Sequence, residues 1–220
     1  MPLGGIEGGC WALVPAKPFA MAKSRLAEAL SGEARRALAR ELLAHTLGAL
    51  RVTEGLSGVA VISRDPEVEA VAREHGALSL PETSERLDGI IDGGLDALSA
   101  RGARSGLVVV ADLPSLAPED VAQMIELGER HPVVIAPDER DEGTNALLVS
   151  PPDRMRTCFG RRGSFRAHSE RAASMSLEVA IFRAPSLGFD LDTVEDLLRL
   201  PADGLPRGGS ISIGLVRTPG

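Results

Sequence analysis

Of 24 Lys and Arg residues only two are Lys, and both, Lys17 and Lys23, fall in one seven-residue window. With Pro15, Ser24 and Arg25 they make a basic loop with few acids nearby. Compact ammonium groups suit a site that neutralises a triphosphate or its pyrophosphate leaving group. A solvated basic loop has the same composition, and the loop is not a Walker motif, because GxxxxGK[ST] is absent. Three acids could do further chemistry. Asp112 follows the apolar run Leu107 to Val110, and Asp190 and Asp192 flank Leu191. If 190–192 are extended, both carboxylates share a face about 7 Å apart and Leu191 points the other way, into a core. Such a set can hold a hard cation such as Mg²⁺ beside phosphates. Asp192 could instead cap a helix before Thr193, and Asp112 could form a turn before Leu113-Pro114. A fourth group pairs Gly143-Thr144-Asn145 with Phe159-Gly160-Arg161-Arg162-Gly163-Ser164. Glycines ahead of a helix let backbone N–H groups approach a carboxylate or phosphate, and Thr144 and Ser164 add hydroxyls; ordinary glycine turns are the alternative. His168, one turn beyond Ser164, could face the same place.

Positioning these residues requires strands that end beside them, and the hydrophobic pattern supplies them. Short apolar runs alternate with helix-period segments, as in βαβ units around a mostly parallel sheet. Strands are expected at Cys10 to Pro15, Gly58 to Ser63, Ala77 to Leu80, Leu107 to Val110, Val133 to Ala136, Asn145 to Ser150 and Glu178 to Arg183. Helices are expected from Ser31 to Leu50 with Ser31 as N-cap, from Pro66 to Gly76 behind the capping Asp65, from Leu87 to Leu98, from Pro118 to Glu129 and from Ser164 to Ala173. Thr193-Val194-Glu195-Asp196 reads as a capping box with Asp in place of Glu. In open α/β sheets ligands bind outside the carboxyl ends of the strands, which is where the basic loop and the acids fall. Residues 10–200 read as one domain and 201–220 as a Gly/Pro-rich tail with a strand-like run, Ser210 to Val216.

Composition excludes several classes. The 220 residues are 44% hydrophobic and 25% charged, which is globular. A formal charge of −7 argues against a surface that gathers nucleic acid. No apolar window approaches a membrane span and no targeting segment is visible, so no membrane association and a cytoplasmic location are expected. Cys10 and Cys158 form no CxxC, and no Ser-His-Asp order or HExxH anchors a hydrolase. His45, His75 and His131 read as structural or exposed.

The ordered set Leu13-Val14-Pro15-Ala16-Lys17, Ala22-Lys23-Ser24-Arg25-Leu26, Ala111-Asp112-Leu113-Pro114, Gly143-Thr144-Asn145-Ala146-Leu147-Leu148, Gly163-Ser164-Phe165 with His168, and Asp190-Leu191-Asp192-Thr193 resembles the CofC/FbiD family. These are the 2-phospholactate or phosphoenolpyruvate guanylyltransferases of coenzyme F420 biosynthesis. The resemblance spans about residues 11 to 200. It implies a three-layer α/β/α nucleotidyltransferase fold, glycosyltransferase-A-like and Rossmann-like, with Mg²⁺ held by Asp112, Asp190 and Asp192. It implies GTP phosphates on the loop Pro15, Lys17, Lys23, Ser24, Arg25, catalysis by Lys17, Lys23 and Asp112, and a phosphorylated three-carbon acid on Thr144, Gly160, Gly163 and Ser164. The product would pass to the next F420 pathway enzyme. Arg-rich composition hints at a GC-rich bacterium, and bacterial relatives lean to phosphoenolpyruvate over 2-phospho-L-lactate or 3-phosphoglycerate. Two positions depart from the family pattern. Phe159 to Ser164 carries one extra residue, and Leu87-Asp88 stands where Leu-Asn is usual; Asp88 could accept from the N1 and N2 donors of guanine but cannot donate. Molybdenum cofactor guanylyltransferases and sugar-nucleotide enzymes share the architecture but usually carry a Gly-rich first loop, which this chain lacks. A non-catalytic nucleotide-binding module is the remaining alternative.

Overall fold

The computed structural model describes residues 8–200, so the strand-like run Ser210 to Val216 and the first seven residues lie outside the described part. Seven strands form one sheet: β1 (Cys10–Pro15), β2 (Leu56–Ile62), β3 (Leu78–Leu80), β4 (Ser105–Val109), β5 (Val133–Pro137), β6 (Thr144–Val149) and β7 (Val179–Ile181). Their spatial order is β3-β2-β1-β4-β6-β5-β7. Among them β6 alone runs antiparallel to its neighbours, β4 and β5. That reversal matters, because it brings the start of β6, Thr144 and Asn145, to the edge where β1, β2, β4 and β5 end.

The helices are α1 (Gly32–Arg51), α2 (Pro66–Glu74), α3 (Leu87–Ser99), α4 (Pro118–Gly128), α5 (Ser164–Ser174), α6 (Pro185–Gly188) and α7 (Val194–Arg199). Starts follow the local chemistry: Ser31 Oγ accepts from the Ala34 N–H and Asp65 from the Glu67 N–H. Gly76 takes φ +70° just past α2. The strand expected over Glu178 to Arg183 shortens to three residues, and α6 follows it, started by Pro185.

Two apolar layers enclose the sheet. On one face Val14, Val61 and Val109 meet Leu43 and Leu47 of α1, Val68 of α2 and Met124 of α4. On the other, Leu13, Ile62 and Val108 meet Ile91, Leu95 and Leu98 of α3 and Ala172 of α5. This is the expected three-layer α/β/α arrangement. Gly94 lets α3 lie close on the sheet, since a Cβ there would stand 2.7 Å from Leu13 Cδ2. At the far end of the sheet Trp11 pairs with Gly58 of β2. Its ring covers that glycine so closely that a Cβ would lie 2.4 Å from Cη2. A third, smaller cluster joins Leu26 and Leu30, behind the basic loop, to Leu38 and Leu42 of α1 and to Leu191 and Leu197. It fastens two functional loops to the same helix.

Candidate active site

The acids meet the basic loop at the carboxyl edge of the sheet. Leu191 is fully buried, worth about 2 kcal/mol relative to exposure, and its N–H donates to the Asp112 carbonyl at 3.0 Å. The segment 190–192 is therefore pinned to the end of β4, with Asp190 and Asp192 turned outward as alternation requires. Lys23 occupies the space between. Its Nζ donates to Asp112 Oδ2 at 2.9 Å, to the Leu191 carbonyl at 2.6 Å and to Asp192 Oδ1 at 3.4 Å. The Lys23 backbone is left-handed, φ 53°, a conformation a non-glycine residue adopts only when its surroundings over-determine it. Burial opposes its charge, yet the carboxylates of Asp112 and Asp192 more than offset that and hold its pKa above the ordinary lysine value. Arg25 Nη1 adds a bond to Asp192 Oδ2 at 3.2 Å. Asp190 has its pKa pushed up to about 6, first by burial and then by the negative charge of Asp112 and Asp192.

Asp192 is not the helix cap. Thr193 caps α7, its hydroxyl accepting from the Asp196 N–H at 3.3 Å while the Asp196 carboxylate takes the Thr193 N–H at 2.8 Å. The Asp192 carboxylate is thereby left to the site. Among the described residues no three His, Cys, Asp or Glu side chains converge on a point where an ion could sit, and Lys23 stands between Asp112 and Asp192. What the structure offers is a cluster of hard carboxylate oxygens around the Lys23 ammonium, with Asp190 crowded by two like charges. That fits Mg²⁺, which keeps several ligand positions for water and phosphate and takes only one or two from carboxylates.

Two clefts flank this centre. The first, about 230 Å³, lies between the end of β1 and the start of α3, and Pro15, Lys17, Lys23, Ile62, Leu87 and Asp112 line it. The second, about 590 Å³, is polar, with Arg25, Arg140, Arg161, Gly160, Gly163 and Asp190 on its walls. Lys17 and Asp192 belong to both, so the clefts join at the charged centre. Gly160 and Gly163 both take positive φ, +79° and +72°, and Gly160 packs so that a Cβ would stand 3.0 Å from Leu87 Cβ. The extra residue of this loop is accommodated by two left-handed glycines, which keep Gly160 at the wall shared with α3.

Thr144 and Ser164 are buried beneath the second cleft and hold each other rather than the open space. Ser164 Oγ donates to Thr144 Oγ1 at 3.4 Å, and Thr144 Oγ1 meets His168 Nδ1 at 3.0 Å. His168 Nε2 accepts from the Cys158 N–H at 2.7 Å, so the ring carries its proton on Nδ1. Burial first, and Arg171 second, push its pKa down to about 4. Neutral His168 thus ties β6, α5 and the glycine loop together.

Three sequence expectations change. Ser24 is exposed and lines neither cleft. Arg25 lines the second cleft and not the first, because Asp192 draws its guanidinium across. Asp88 lines neither cleft; Arg86 grips it through two bonds, 3.1 and 2.8 Å, and Arg161 through a third at 3.3 Å. Those guanidinium bonds hold its carboxyl far below the usual range. Two residues were missed. Asp138 organises the loop between β5 and β6 by accepting from the N–H groups of Arg140, Glu142 and Gly143; its place before a Gly-Thr-Asn turn was the available signal. Glu82, in the loop after β3, lines the first cleft.

Residues 10–206 match the family described as "Guanylyl transferase CofC like". A phosphoenolpyruvate guanylyltransferase of Sphaerobacter thermophilus is 37% identical over 199 residues, covering 90% of this chain and 95% of that protein. One of Rubrobacter xylanophilus is 40% identical over 195 residues, covering 88% and 94%. Among solved structures, a putative nucleotide-diphospho-sugar transferase of Desulfovibrio desulfuricans superposes with a TM-score of 0.74 at 16% identity, covering 86% of this chain and 84% of the other, a likeness of fold.

Proposed function

Because the chain belongs to the CofC-like guanylyl transferase family and so is a nucleotidyltransferase, we propose that it transfers GMP from GTP to the phosphate of a three-carbon phospho-acid, phosphoenolpyruvate before 2-phospho-L-lactate or 3-phosphoglycerate, in coenzyme F420 biosynthesis. The observation that carries this reading is the junction of two clefts at Lys17 and Asp192. One cleft is apolar with a cationic end, as a nucleoside triphosphate requires. The other bears Arg25, Arg140, Arg161 and Arg162 among six acids, each arginine paired with a carboxylate of Asp192, Asp196, Asp88 or Glu142; a small phosphorylated carboxylic acid would enter by taking guanidinium groups from these partners.

In the reaction a phosphate oxygen of the acid bonds to the α-phosphorus of GTP as the bond to the β-phosphate oxygen breaks and pyrophosphate leaves. The attacking oxygen is already anionic at neutral pH, so no protein base is needed. Lys17, at the mouth of both clefts, is placed to carry charge on either reactant. Lys23 is held by Asp112, Asp192 and the Leu191 carbonyl, which fixes its ammonium near the transfer point at no reorganisation cost in the transition state. Asp112 with Asp190 or Asp192 would hold Mg²⁺, which supplies Lewis-acid neutralisation of the phosphate oxygens. Thr144, Ser164 and His168 keep the Gly160 to Gly163 backbone in place for the acid. The product is then the substrate of a later F420 pathway enzyme.

The experiment is pyrophosphate release from GTP with Mg²⁺ and each of the three phospho-acids, with ATP and CTP as controls and a chelator arm. A signal for one acid with GTP, lost on chelation and restored by Mg²⁺, supports the reading. Silence with all three from folded protein refutes it and leaves a different acceptor or a nucleotide-binding role.

A further inference from the structure

The first cleft has two ends of different chemistry, and one acid is unaccounted for. Lys17, Lys23, Asp112 and Asp192 gather where β1 and β4 end. Glu82 enters the same cleft from the loop after β3. In the strand order β3-β2-β1-β4 that loop is three strands from Asp112, or about 14 Å at the usual interstrand spacing. Between the ends the walls are apolar, from Ile62, Leu87 and Ile90. A triphosphate at the lysine end therefore extends its base towards Glu82.

The Glu82 side chain is 11% exposed and its nearest cation, Arg64 Nε, is 3.8 Å away, beyond hydrogen-bonding distance. Among the described residues no donor bonds its carboxylate. The loop that carries it is firmly seated: Thr83 and Ser84 lie in notches at Gly93 and Gly89 of α3, where a Cβ would stand 2.3 Å from Thr83 Oγ1 and 2.5 Å from Ser84 Oγ. A half-enclosed, fixed carboxylate with free lone pairs accepts hydrogen bonds and donates none. Of the four common bases only guanine presents two adjacent donors on one edge, N1–H and the 2-amino group, matching the two carboxylate oxygens. Adenine and cytosine place a ring-nitrogen acceptor there, and uracil flanks its single N–H with carbonyls. We propose that Glu82 is the residue that selects guanine, its carboxylate accepting from N1–H and the 2-amino group at the end of the cleft opposite Lys23. Asp88, tied to Arg86 and Arg161, does not take this part. The inference rests on the guanylyl-transfer reading above.

The test is the ratio of kcat/KM for GTP and for XTP, in which the 2-amino donor is a carbonyl, read as pyrophosphate release with the active phospho-acid. Wild type should favour GTP. Glu82→Gln keeps one acceptor for N1–H and gains an N–H that opposes the 2-amino group but donates to the 2-carbonyl, so the ratio should move towards XTP by roughly 100-fold or more. Glu82→Asp keeps the carboxylate and should retain the order GTP over XTP with a lower kcat/KM. Should Glu82→Gln turn over neither nucleotide, equilibrium binding of GTP and XTP to that variant carries the same ratio. A structural role would depress both nucleotides alike, and an unshifted ratio beside a GTP-active wild type overturns the assignment of Glu82 alone. A wild type that uses GTP with no phospho-acid overturns the guanylyl reading and this inference with it.

Discussion

Acidification should loosen this protein through one side chain, His168. In the folded chain its pKa is pushed down to about 4 by burial and by Arg171, whereas an unfolded histidine titrates near 6.5. Between those values the unfolded chain binds the proton and the folded one does not, so this group's contribution to stability is full above about pH 7 and is lost as pH falls from about 6.5 towards 4. From pH 8 to pH 5 the loss is about 2 kcal/mol, a large share of a typical domain's stability. The local cause is steric and electrical together. A proton on Nε2 would face the Cys158 N–H, which now donates to that atom at 2.7 Å, and two donors cannot share the space. Carboxylates such as Asp190 titrate in the same range, so the measurement is a difference: urea unfolding of wild type and His168→Gln at pH 8, 6 and 5. Wild type should be the more stable at pH 8, through the Thr144 bond and the edge contact with Phe159 at 4.8 Å. That advantage should shrink by about 2 kcal/mol at pH 5. Parallel curves, with the same difference at all three pH values, would refute the account of His168 as a buried neutral clasp.

Other expectations concern the site itself. Asp112→Asn and Asp192→Asn should each lower turnover by roughly 100-fold or more and lower the unfolding midpoint, because each removes a charge that offsets the burial of Lys23; wild-type rates in either remove that residue from the transfer centre. Lys23→Met, which keeps the length and drops the charge, should cost turnover on a similar scale of about 100-fold, and a variant that retained kcat would show that the lysine only pairs acids. Gly89→Ala brings a methyl within 2.5 Å of Ser84 Oγ and 2.9 Å of its Cβ, which no rotation of that side chain relieves, so the loop bearing Glu82 should shift and the KM for GTP rise while kcat with saturating GTP holds. An unchanged KM would mean that the loop has no part in base binding.

The strand ends were legible because buried runs such as Leu107 to Val110 announce themselves, and chemistry in open α/β sheets gathers after such runs. The direction of β6 was not, since its apolar part, Ala146 to Val149, is buried throughout and such a run reads the same either way along a strand. The α7 start was legible as a capping box, and the structure settles what the local pattern left open, that Thr193 and not Asp192 is the cap. Asp88 and Glu82 show the opposite limit. Both are acids near a helix start, and what separates them is a pair of arginines that bind Asp88: first Arg86, two residues away, and then Arg161, 73 residues on. Arg86 stood in plain sight beside Asp88; local pattern carries no trace of Arg161. Arg25 likewise changed clefts because of Asp192, 167 positions on.

The packing of Trp11 on Gly58 has a practical side. The chain holds one Trp and no Tyr, so near-ultraviolet emission arises from a single indole lodged in the first pair of strands, one whose Nε1 is shielded and bonds to nothing among the described residues. That ring sits four residues upstream of Pro15, about 13 Å along the strand from the carboxyl edge. Its fluorescence should register the parting of β1 from β2 and stay indifferent to what fills the clefts. A nucleotide titration followed by emission would be nearly blank even at saturation, whereas a denaturation curve would be free of any tyrosine contribution.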